Sequence, residues 1–147
     1  MTKREHMMQY NIQNLDDMVG KALTALEAGG NDDFPLIDGR IVAVFASPNA
    51  NSSEDMALGI SALPPEYSTP VHSHRAEEFA LVLRGKGAIT INGDAIAVGP
   101  GSLVVTPPNA PHVTTADASG PMVIYWVYGP AGSENRWLGH KQGVAAK

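Results

Sequence analysis

From Asn14 to Gly30 the chain reads NLDDMVGKALTALEAGG, with Leu15, Met18, Val19, Ala22, Leu23 and Leu26 recurring at three- and four-residue intervals. Asn14 stands where a cap belongs, Asp16 and Asp17 fill the first turn, and Gly29-Gly30 close the run, so the pattern predicts one amphipathic helix over 14–29. Gly20 in its interior costs about 1 kcal/mol against alanine without erasing the stripe. Beyond the helix the period falls to two. Short segments such as FPLI, RIVAVFA, MALGISAL, EEFALVLR, AITI, DAIAV, SLVVTP, PHVTTA and PMVIYWVYG are cut by turn chemistry: DG, GKG, NG and GPG. Asn92-Gly93 between two alternating runs is a strong two-residue hairpin signal. The reading gives eight to ten short strands and no second helix of substance.

So many short strands in one small chain imply an all-β fold that buries its edges, a jelly roll or small barrel with the helix packed outside. The 147 residues suit one domain, and the 15 Gly and 11 Pro agree with a turn-rich β chain. The expected layout is a flexible extension over 1–13, a single barrel domain over 14–138 and a flexible tail over 139–147. His6 in the polar start and His140 in the aperiodic tail are assigned no function.

Charge and composition then exclude several classes. The net charge is −5, and the ten Lys and Arg form no stripe, which argues against a nucleic-acid partner. No apolar run approaches a membrane span, and the start lacks a secretory signal, so a cytoplasmic protein without a membrane partner is expected. The absence of cysteine removes disulfides, thiolate ligands and a cysteine nucleophile together. Any metal here takes nitrogen and oxygen ligands.

The chemistry concentrates in HSHRAEEF, residues 72–79, and in the histidine that ends TPPNAPH. In a strand, residues two apart share a face, so His72 and His74 would point the same way. The following strand begins at Glu77-Glu78 and can bring one of these carboxylates alongside, while His112 arrives from a later strand. An HxH pair alone is more often incidental than a ligand pair. Three imidazoles with one carboxylate suit Fe, Mn, Ni, Zn, Co or Cu and leave positions open for chemistry.

The spacing of these residues resembles the two short motifs of the cupin superfamily. His72, His74, Glu78 and Gly85 meet every interval of the first, and Gly101, Pro107 and His112 fall at the intervals of the second. Three positions depart: Glu66, Asn109 and Ala116 stand where the family pattern has Gly, Gly and Asn. Asn109 is a mild change, since Asn tolerates a left-handed turn. The resemblance spans about residues 55–130 and implies a double-stranded β-helix barrel, often a homodimer. It implies four metal ligands, His72, His74, Glu78 and His112, on a divalent transition metal. Glu77, the rival carboxylate, is expected to face outward.

The resemblance further implies a metal-dependent enzyme acting on a small organic molecule that chelates the metal, with dioxygenase chemistry first. Non-redox lyase, isomerase, dehydratase or cyclase chemistry comes second, and a non-catalytic binding or sensing module is the alternative of another class. Glu78 is the candidate catalytic base. An apolar wall is expected around the metal. Ala80 and Val82 share the parity of Glu78, and Thr114 that of His112. In the last strand either Met122, Ile124, Trp126 and Tyr128 or the alternate set faces inward. Met56, Tyr67, Phe79, Tyr125 and Trp126 are the candidate substrate contacts, and Arg84 is the single cation expected nearby.

Overall fold

The computed structural model describes residues 12–50 and 52–138. Its helix, α1 (Leu15–Ala28), begins where the Asn14 side chain accepts a hydrogen bond from the Asp17 amide at 3.0 Å. It ends where Gly29 turns left-handed and the Gly30 amide returns to the Ala25 carbonyl at 2.7 Å. Both caps satisfy backbone groups that a helix end otherwise leaves open. Its buried face is made by Val19, Ala22 and Ala25, and these short side chains let the helix lie close on the sheet beneath. Most of the expected extension over 1–13 and all of the tail over 139–147, including His6 and His140, lie outside the described residues.

Nine strands follow: β1 (Leu36–Ile37), β2 (Arg40–Ala46), β3 (Ala57–Leu63), β4 (Glu77–Arg84), β5 (Gly87–Ile91), β6 (Asp94–Val98), β7 (Leu103–Thr106), β8 (His112–Ala116) and β9 (Met122–Gly129). They form a six-stranded sheet in the order β1-β2-β3-β9-β4-β7 and a three-stranded sheet in the order β6-β5-β8, with every pairing antiparallel. This is the jelly-roll barrel with one external helix. The Asn92-Gly93 turn takes the left-handed conformation at both residues, joining β5 to β6 as a tight hairpin. Among the described residues no helix is long and apolar enough to cross a membrane.

Strand parity sorts the large sheet into two faces. Ile41, Ala43, Ile60, Ala62 and Val123 point out and pack under α1. Leu63, Ala80, Val82, Val104, Met122 and Ile124 point in, where they meet Ile89, Val98 and Ala116 from the smaller sheet. At one end of this interior the apolar filling gives way to polar side chains, and a cavity opens there.

Candidate metal centre

The segment between β3 and β4 does not form the continuous strand that HxH parity assumed. Pro64, Pro65 and Pro70 remove amide donors, so the chain follows β8 only through isolated bridges at Ser68 with Thr115 and His72 with His112. His72 and His112 exchange both backbone hydrogen bonds, at 3.2 and 2.8 Å. His74 lies beyond this bridge, and its carbonyl accepts from the Asn109 amide at 2.8 Å. Asn109 holds a φ of 63°, the left-handed turn expected of it. The loop carrying two histidines is thereby tied to the strand, and to the turn before it, that carry the third.

The three imidazoles converge although they do not share a strand face. Each offers a ring nitrogen, and these three atoms lie within 4.8 Å of one another. Their Nδ1 atoms bond backbone carbonyls two residues away: His72 to Pro70 at 2.8 Å, His74 to Ala76 at 2.9 Å and His112 to Ala110 at 2.8 Å. A carbonyl only accepts, so each Nδ1 carries a proton and Nε2 is the ring nitrogen left to face the cluster. Burial lowers the His72 pKa from 6.5 to about 4, which keeps that ring neutral at pH 7.

Glu78 heads β4 and points into the barrel. Its Oε1 stands 3.2 Å from His74 Nε2 and 3.9 Å from His112 Nε2. Glu77, next to it, is exposed on the other face. His112 Nε2 is buried and has no hydrogen-bond partner. His74 Nε2 and Glu78 Oε1 are in hydrogen-bond contact, whereas the unpartnered His112 Nε2 is a buried nitrogen that costs about 1–3 kcal/mol. A cation among these atoms removes that penalty, and the second bond on every imidazole is the arrangement metal-bound histidines use. The residues present therefore fit a divalent metal of the Fe, Mn, Ni, Co, Zn or Cu type.

Beside these groups is a small cavity of about 50 Å³, lined by Arg40, Ser61, Leu63, Thr69, Thr114, Ile124, Trp126, Tyr128 and Trp137 together with His72, Glu78 and His112. The set Met122, Ile124, Trp126 and Tyr128 is the one that faces inward on β9. Trp126 donates from Nε1 to the Ser61 hydroxyl at 3.1 Å. Burial, and then the charge of Glu78, push the Tyr128 phenol up to about 12. That hydroxyl keeps its proton at neutral pH.

Several expected substrate contacts fall elsewhere. Tyr125 lies between the inward residues Ile124 and Trp126, so it points out and packs against the cluster under α1. Phe79 lies between Glu78 and Ala80 and is 44% exposed on the outer face; Met56 precedes β3 and is 47% exposed. Tyr67 does not line the cavity. Its hydroxyl donates to the Asp38 carbonyl at 2.5 Å and accepts from Arg40 Nη1 at 3.1 Å.

The wall is also more polar than expected. Arg84 leaves the barrel and approaches Asp16 of α1 at 3.6 Å, while the cation that lines the cavity is Arg40, only 7% exposed. Arg40 heads RIVAVFA, in step with inward Val42 and Val44, and no other residue of that run is charged. That parity was a readable signal. Trp137 had none, because it arrives from a stretch without period.

Comparison with known proteins agrees with this architecture. The family model described as Cupin domain matches residues 59–128. Over 75 residues the chain is 36% identical to dimethylsulfoniopropionate lyase DddW of Ruegeria pomeroyi, a match covering 51% of this chain and 47% of that protein. The chain thus spans about half of that relative's length. Among solved structures, TT1209 from Thermus thermophilus superposes with a TM-score of 0.61 at 18% identity, over 82% of this chain and 98% of that one. An RmlC-like cupin from Shewanella frigidimarina gives a TM-score of 0.58 at 14% identity, over 71% and 87%. At such identities the structures speak for the fold alone.

Proposed function

We propose, on the premise that this chain carries a small cupin-superfamily domain, that it is a metal-dependent enzyme acting on a small organic molecule. One observation carries the reading: three imidazoles with carbonyl-pinned Nδ1 atoms bring their ring nitrogens within 4.8 Å of one another, with the Glu78 carboxylate beside two of them. His72, His74, Glu78 and His112 are the ligands of that reading. A divalent ion held there supplies Lewis acidity to a substrate oxygen.

The reaction class we favour is elimination by a lyase. The sequence pattern placed dioxygenation first, and the likeness to a lyase over half of the chain reverses that order. Elimination needs a base for the proton next to a carbonyl carbon; the C–H pair becomes the new double bond, and the leaving group departs with its own bonding pair. Glu78 is the one carboxylate that lines the cavity, and it would serve as base during turnover in place of its role as ligand, with the three imidazoles holding the ion. Tyr128, opposite Glu78 in the register of β4 and β9, retains its O–H and is placed to donate a hydrogen bond or to return a proton.

The test begins with protein prepared without nickel resin and loaded with Zn²⁺, Fe²⁺, Mn²⁺ or Ni²⁺, its metal content measured by plasma mass spectrometry. One ion per chain is expected, lost in His74→Ala. Turnover of small carbonyl compounds with a β leaving group, dimethylsulfoniopropionate among them, is then followed with and without oxygen. Equal rates in both support the lyase. A strict need for oxygen overturns it in favour of a dioxygenase, and failure to take up any of the four ions overturns the metal reading itself.

A further inference from the structure

Arg40 is a largely buried residue whose guanidinium makes one side-chain hydrogen bond among the described residues, and its other nitrogens are not enclosed. Its guanidinium carries five N–H groups in a planar fork. One of them goes to the Tyr67 hydroxyl at 3.1 Å, and its carbon lies 5.0 Å from the Trp137 ring centroid. Among the described residues no carboxylate stands within ion-pair distance of it. A residue only 7% exposed that carries a charge without an ion-pair partner among the described residues is costly to bury. The surroundings nonetheless hold it in place. Tyr67 is itself anchored on the Asp38 carbonyl, so Arg40 is braced by a hydroxyl whose own proton is spent elsewhere. The guanidinium lines the same cavity as His72, Glu78 and His112, together with the hydroxyl-bearing residues Ser61, Thr69 and Thr114.

We infer that Arg40 is the substrate-binding group for a carboxylate, so that the enzyme's substrate is a small monocarboxylate. One end would meet the guanidinium and its reactive end would face the histidine cluster. The inference deepens the metal-dependent reading above and rests on it for the position of the reactive end. A carboxylate matches the guanidinium fork with two parallel hydrogen bonds. A phosphate is the poorer fit, because its larger negative charge would share a cavity of about 50 Å³ with the Glu78 carboxylate. Tyr67 then acts as a positioning residue that keeps the fork turned into the cavity.

The experiment titrates zinc-loaded full-length protein with propionate, its uncharged isostere propionamide and inorganic phosphate, by calorimetry or ligand-observed NMR. Zinc content is measured on every sample. Propionate is expected to bind about tenfold or more tightly than propionamide, the loss that follows when a charge-assisted hydrogen bond is removed. Arg40→Gln is expected to lose the same factor while keeping its zinc, and Tyr67→Phe to lose about two- to fivefold. Arg40→Lys, which keeps the charge without the fork, should fall between wild type and Arg40→Gln. If Arg40→Gln does not fold, the acid and amide pair on the wild type and the Tyr67→Phe variant still decide. Equal binding of acid and amide, unchanged propionate affinity in folded Arg40→Gln, tighter binding of phosphate, or no saturable propionate binding overturns the inference. If the chain takes up no zinc, the metal reading falls by itself, and the same acid and amide comparison on metal-free protein still judges Arg40.

Discussion

His72 sits half-buried beside two more deeply placed imidazoles, and the loss of water around it is what lowers its pKa from 6.5 to about 4. In the unfolded chain the ring takes up a proton near its ordinary value. Between those two values the unfolded chain therefore binds a proton that the folded chain refuses, and stability of the metal-free protein falls as the pH drops from 6.5 towards 4. Because the ring is partly solvated, the loss traceable to His72 is about 1 kcal/mol. Urea midpoints of chelator-treated wild type and His72→Gln at pH 7 and pH 4.5 measure it. The variant should show the smaller drop; equal drops would mean that the ring titrates normally. The residues of this centre were legible as letters: two histidines, a glutamate and a distant histidine. Their convergence was not, since it depends on the carbonyls of Pro70, Ala76 and Ala110 and on a backbone bridge between two segments far apart in the chain.

Between β3 and β9 the fold makes room for a large ring by leaving out a side chain. Gly59 lies opposite Trp126 in the register, and a Cβ built there would run into the Ala43 carbonyl oxygen and the Trp126 ring. Two backbones and an indole thus meet where only glycine fits. Gly59→Ala must push Trp126 or strand β2 aside, and the expected cost is about 1–3 kcal/mol of unfolding free energy. Urea denaturation gives that cost, and a shifted tryptophan emission would report the lost bond to Ser61. A variant as stable as wild type would show that the strand yields freely. At this scale much could be read directly. Both caps of α1 and the Asn92-Gly93 hairpin come from local backbone chemistry, which short stretches of sequence contain. What escaped was decided across the sheet. The inward parity of β9 depends on its partners β3 and β4, and that parity sent Tyr125 to the helix side and Trp126 to the cavity.

Across the whole molecule, the candidate ligands draw on three parts of the fold. Glu78 belongs to the six-stranded sheet, His112 to the three-stranded one, and His72 and His74 to the loop that links β3 to β4. An ion held by all four would tie the two sheets together at the polar end of the barrel, where the apolar core no longer does so. Such an ion binds the folded chain and finds no preformed site in the unfolded one, so it stabilises by mass action. At a free concentration of about 100 times its dissociation constant the gain is about 2.7 kcal/mol, which raises the melting temperature of a chain this size by about 5–10 °C. Thermal melts of chelator-treated protein with and without zinc should show this rise. Glu78→Ala and His74→Ala should lose most of it. Glu77→Ala, which alters the exposed neighbour, should keep it, as should Gly59→Ala from its lower starting point. Equal rises in the Glu77 and Glu78 variants would place the ion outside the cluster, and the division between those two glutamates would then have no functional meaning.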